Sequence, residues 1–225
     1  MSPAAASRHL CWSLADAAQI ASGAPAAEGI RIVETHSVFA EQWDGTTAAT
    51  HELRLHLYLF QDTRWRSADI VAAVWEATPL LAQCGVALPG AELRLIEAPR
   101  EFHFYSTPVS RTLLRSMKIP RPAVFFVEDT RNQPAFDAEA IGRGNSATRP
   151  ELADTIWVVF GARDLPQALA HELVHLLSDS GEHGTEPDNL MLPESSPRNT
   201  RLSSAQCERL RARGEANGLL TLRPK

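Results

Sequence analysis

The chain has 225 residues, of which 44% are hydrophobic and 22% charged, and its formal net charge is -5. A chain of this length and polarity buries a core without covalent staples, and an acidic balance with no basic stripe carries no electrostatic footprint for nucleic acid. No apolar run reaches the roughly 20 residues that a membrane-spanning helix needs.

Residues 1–28 are rich in Ala, Ser, Gly and Pro and read as a flexible leader. Asp16 and Gln19 interrupt its most apolar stretch, which departs from the continuous apolar segment of a secretory signal. Export and oligomeric state stay open. Residues 29–225 read as a single α/β domain.

Within that domain, residues 53–60 alternate, with Leu53, Leu55, Leu57 and Leu59 on one face and Arg54, His56 and Tyr58 on the other; this is the period of a strand. Ser67 is placed to cap a helix running to about Gln83, with Gly85 as its C-terminal glycine. Residues 92–97 alternate again and read as a strand, and Arg111 to Met117 read as a short helix. The apolar run Ala123 to Val127, introduced by Pro120 and Pro122, reads as a buried strand. An edge strand is expected around Ala138 to Gly142, and a further buried strand over residues 155–160. A turn from Gly161 to Pro166 then opens a helix, with Asp164 as its N-cap.

That helix carries His171, Glu172 and His175. Histidines at i and i+4 lie about 40° apart around a helix, so both imidazoles reach one point. Zinc accepts such nitrogens and leaves a position for water. Glu172, beside the first histidine, is placed to act as general base on a zinc-bound water. Leu169, Leu173, Leu176 and Leu177 supply the apolar anchor for the helix. The segment His51-Glu52 to His56 has the wrong interval, since i and i+5 point about 140° apart on a helix, and its period is that of a strand.

A third ligand is expected downstream. The helix is read as stopping near Gly181, where a left-handed residue reverses the chain, and His183 follows. Asp179 is the rival at the same turn, and Glu194 and Glu208 are the candidates if a downstream glutamate serves instead. Cys11, Cys84 and Cys207 form no CxxC pair, so a cysteine-based zinc site is not indicated. Cys84 and Cys207 either meet as a disulfide or remain two buried thiols.

Beyond His183 come Asp188, Asn189, Leu190 and Met191. With HExxH, a glycine, a later histidine and then a methionine turn, the segment 171–191 resembles the metzincin clan of zinc metallopeptidases. The spacing departs from that clan's usual form: Ser178 stands where its glycine falls, and Gly181 where its third ligand falls. The resemblance implies an α+β zincin-like fold. Its mixed twisted sheet would have about four to five strands, with residues 29–181 as an upper part and 182–225 as a lower part carrying the methionine turn and a C-terminal helix. It implies Met191 as an apolar floor under the metal, and a cleft along the edge strand near 138–144 that takes a peptide or protein substrate. The reading is a zinc metallopeptidase with His171, His175 and His183 as ligands. The alternatives are a zinc amidase of non-protein substrates and a non-catalytic zinc-binding module.

Overall fold

Nine strands and four helices follow one another among residues 29–39, 49–131, 140–143 and 150–223, which are those described by the structure, a computed structural model. The leader read over residues 1–28 lies outside them. Strand β1 (Arg31–Phe39) precedes β2 (His51–Phe60), helix α1 (Ser67–Ala82) and β3 (Val86–Glu97). A 3-10 turn over Arg100–His103 leads to the short β4 (Phe104–Tyr105), α2 (Thr107–Ser116), β5 (Ala123–Val127) and β6 (Asp129–Thr130). Then come β7 (Ala140–Arg143), β8 (Thr155–Val159), α3 (Leu165–Ser178), α4 (Ser204–Ala216) and β9 (Leu220–Leu222).

Seven of the strands form one sheet in the order β1-β3-β2-β5-β8-β7, with β9 added to β2. The inner strands β3, β2, β5 and β8 run parallel, whereas β1, β7 and β9 pair antiparallel to their neighbours. This is the mixed α/β architecture expected, with more strands than the four or five anticipated. The additions are the edge strand β1, which lacks a clean alternation of apolar and polar residues, and β9, which at three residues is too short to show a period. The expected edge strand is β7; positions 138, 139 and 144 of the anticipated segment lie outside the described residues.

Alternation along β2 determines what each sheet face meets. Leu53, Leu55, Leu57 and Leu59 join Val124, Phe126, Ile156 and Val158 in a core with the apolar sides of α1 and α3. On the opposite face, Tyr58, Phe60, Phe125 and Trp157 form a second core with Leu113 and Leu114 of α2. Its centre is a ring stack, with Phe125 4.8 Å from Tyr58 and 4.2 Å from Trp157. The sheet is thus covered on both sides, which is why its parallel strands are apolar along most of their length.

Helix α4 starts at a capping box in which the Ser203 side chain accepts from Gln206 N and the Gln206 side chain accepts from Ser203 N. It packs on α3 where Gly214 lets Leu220 and Leu177 approach; a Cβ there would stand 2.7 Å from Leu220 Cδ1. Cys84, just past the end of α1, is disulfide-bonded to Cys207 of α4, with Cα atoms 4.7 Å apart. Of the two readings of these cysteines, the structure has the bridge. Among the described residues, no helix is long and apolar enough to cross a membrane.

Candidate metal centre

Helix α3 is positioned before its chemistry begins. Asp164 sits at its N-cap in the left-handed region, φ 51°, and serves through its carbonyl, which accepts from Ala168 N, and not through its carboxylate. Leu169, Leu173, Leu176 and Leu177 are all fully buried against the sheet and α1. That anchor turns the opposite stripe, carrying His171 and His175, toward the segment that follows the helix.

The helix stops earlier than the glycine suggests. Its C-cap is Asp179, with φ 49°, and not Gly181, whose backbone does not enter the left-handed region. Aspartate adopts that conformation more readily than most side chains because its short polar group bonds locally. The turn has a second effect: Ser180 N donates to His175 O at 3.2 Å, which folds the Ser180 carbonyl back to within 2.7 Å of His175 Nδ1.

His171 is held in the same manner by a more distant segment. Its Nδ1 stands 2.8 Å from Leu190 O. A carbonyl oxygen only accepts, so both imidazoles carry their proton on Nδ1 and present the Nε2 lone pair. Burial pushes the His171 pKa below its ordinary value, the nearby His183 adds to that, and the bond to Leu190 opposes it. Burial and then the charge of His171 lower His175 to about 4. Both rings are therefore neutral near pH 7, the protonation state a metal ligand requires.

His183 comes to the same place from the loop after α3. The three rings have centroids 4.6, 4.9 and 5.4 Å apart, and His175 Nε2 lies 3.3 Å from His183 Nε2. One donor atom from each ring lies within 4.8 Å of the other two. Nitrogens about 2.0–2.1 Å from one tetrahedral centre stand about 3.3–3.4 Å apart, so the His175–His183 spacing is that of two ligands sharing an ion. Three imidazole nitrogens are a donor set that suits a transition-metal ion. Asp179, Glu194 and Glu208 are not members of this group of donors. His51 and His56 are on β2, where His51 is 2.8 Å from Thr50 Oγ1 and His56 is 3.2 Å from Glu92.

Glu172 is half-buried on the helix next to His171. Met191 is buried, and lines a cavity of about 120 Å³ together with Val174, Ser178, His183, Gln206 and Arg209. The two carbonyls that hold the imidazoles, Leu190 O and Ser180 O, were not foreseen. Backbone acceptors carry no residue signature, and only the spacing of a turn could have hinted at them.

No protein-family model and no curated protein sequence matches the chain. Among solved structures it is similar to the crystal structure of metalloproteinase-II from Bacteroides fragilis, at 19% identity and a TM-score of 0.54, over 74% of this chain and 54% of that one. The chain therefore spans about half the length of that structure. At such identity the likeness is one of fold: a mixed α/β, zincin-like arrangement shared with a metalloproteinase, in a chain whose own three histidines form a group able to hold a metal ion.

Proposed function

We propose that this chain is a zinc-dependent metallopeptidase of the metzincin type, with His171, His175 and His183 as metal ligands and Glu172 as general base. The observation that carries the reading is the convergence of three imidazoles, two of them held by backbone carbonyls so that their Nε2 lone pairs are available. A bound zinc supplies Lewis acidity toward the scissile carbonyl and lowers the pKa of water to near neutrality.

The remaining steps belong to the chain. The Glu172 carboxylate accepts the proton of the attacking water and passes it to the leaving amine as the C–N bond breaks. Met191 forms the apolar floor of the turn beneath the ligands. β7 pairs with β8 on one side and runs beside α3. In this reading the main chain on its other side takes an extended peptide as an added strand. Residues 29–225 then act as one catalytic unit, divided near residue 181, with a peptide or protein as substrate. Support for peptide chemistry comes from the shared fold with the Bacteroides fragilis metalloproteinase.

The test is elemental analysis of the purified chain, followed by a peptide panel beside a small-amide panel with and without chelator. About one zinc per chain and chelator-sensitive cleavage of peptides support the reading. Zinc with turnover of small amides alone makes it an amidase. No zinc after reconstitution ends the metalloenzyme reading.

A further inference from the structure

The segment 184–191 is organised around one side chain, the carboxamide of Asn189, which is buried. Its Oδ1 accepts from Met191 N at 2.8 Å and from Gln206 Nε2 at 3.2 Å, and its Nδ2 donates to Gln206 Oε1 at 3.1 Å. The two amides thus form a reciprocal pair between the turn and α4. On the other side, a Cβ on Gly184 would stand 2.8 Å from Asn189 Cγ and Oδ1, so glycine is what lets the chain pass so close.

Of two carbonyls in this turn, one holds a histidine and the other holds the residue that follows one. Leu190 O lies against His171 Nδ1, and Met191 O accepts from the backbone N of Gly184, the residue after His183, at 2.7 Å. Both carbonyls therefore inherit their direction from a turn pinned by Asn189. Gln206 reaches that turn from the first turn of α4, where it also closes the capping box.

We infer that Asn189 and Gln206 are a positioning pair: their reciprocal amide bonds set the orientation of His171 and the placement of His183. This rests on the proposed metal site for its importance, but not for its geometry. Neither residue touches the reacting atoms. A group that orients a ligand's orienter affects the ligand, and changes in such outer shells weaken metal binding by about 10–100-fold.

The experiment compares wild type, Gln206→Ala, Gly184→Ala and the control Ser203→Ala, which removes the helix cap but leaves the amide pair. Two readouts are used. One is the histidine side-chain ¹⁵N spectrum of the metal-free protein, which reports whether His171 holds its proton on Nδ1. The other is Co(II) affinity by chelator competition, with the visible spectrum of the Co(II)-loaded protein. The expected result is a loss of the single His171 tautomer in Gln206→Ala and Gly184→Ala. Co(II) binding should weaken at least about tenfold in both, with a changed spectrum, while Ser203→Ala matches wild type in each.

Gln206→Ala matching wild type would overturn the pair, and so would Ser203→Ala falling equally, since the effect would then be mere loosening of α4. If wild type binds no Co(II), the metal reading fails by itself. The metal-free spectra then decide the positioning role: a tautomer change in Gln206→Ala and Gly184→Ala but not in Ser203→Ala upholds it, and an unchanged spectrum removes it.

Discussion

His175 Nε2 and His183 Nε2 stand 3.3 Å apart although the first belongs to the last turn of a helix and the second to an exposed loop. The helix end creates this proximity. Asp179 reverses the chain in the left-handed region, and the Ser180 carbonyl turns back onto His175. His183 then arrives three positions after Ser180. If these nitrogens share an ion, His183→Ala removes one of three ligands, and metal affinity should fall beyond the about 10–100-fold typical of outer-shell changes. Asp179→Gly, which keeps the left-handed turn and removes the carboxylate, should leave metal content near that of wild type. Elemental analysis of both variants after dialysis checks this; the reverse pattern would hand the third position to Asp179.

The helix and its two histidines were legible in the sequence because i, i+4 spacing has one geometric meaning on an amphipathic helix. The place where the helix stops was less legible. Gly181 was the conspicuous residue, but a glycine advertises conformational freedom without showing that it is used, and Asp179 took the left-handed position first. The inner strands β2, β5 and β8 were visible because their apolar patterns are continuous or strictly alternating. β1 was not, since its edge position leaves Ile32 44% exposed and mixes polar residues through the run. The Asn189–Gln206 contact joins positions separated by a loop and a helix start, and no periodicity links them.

Glu172 is next to a proposed ligand in sequence but is not in the ligand group. Its removal should therefore separate binding from turnover. Glu172→Ala is expected to keep the metal content of wild type while lowering kcat by about 10²–10⁴, the contribution typical of a positioned general base. Steady-state kinetics on a cleaved peptide, with metal analysis of the same sample, measure both. Activity within a few-fold of wild type would remove Glu172 as the base.

The Cys84–Cys207 bridge joins residues 123 positions apart in sequence. It ties the end of α1 to α4, the helix from which Gln206 reaches Asn189. Closing a loop of about 100 residues restricts the unfolded chain by an amount near 4.7 kcal/mol in the chain-entropy model, and native disulfides typically contribute about 2–5 kcal/mol. The Cys84→Ala/Cys207→Ala double variant should lose stability in that range in denaturant unfolding. It should still fold, because the same junction keeps hydrogen bonds from Gln83 to Thr200 O and from Arg211 to Cys84 O. Equal stability of the double variant and the oxidised wild type would show that the bridge does not act on the unfolded chain as argued.

His56 gives the fold a pH dependence that is separate from the candidate metal centre. It is half-buried on β2, 3.2 Å from Glu92 and 3.0 Å from Arg94. Burial, and then the Arg94 guanidinium, hold its pKa below the ordinary value of 6.5, with Glu92 opposing them. The unfolded chain therefore takes up this proton before the folded one does. The sign follows: the contribution of neutral His56 is fully present above about pH 6.5 and is lost as pH falls from there through the lower folded value. His56→Gln removes the titration while keeping a polar side chain between Glu92 and Arg94. Denaturant midpoints of the metal-free protein at pH 7.5 and pH 5.5 should fall less in this variant than in wild type. An identical fall in the two proteins would mean that other groups carry the acid sensitivity and that His56 titrates alike in the folded and unfolded states.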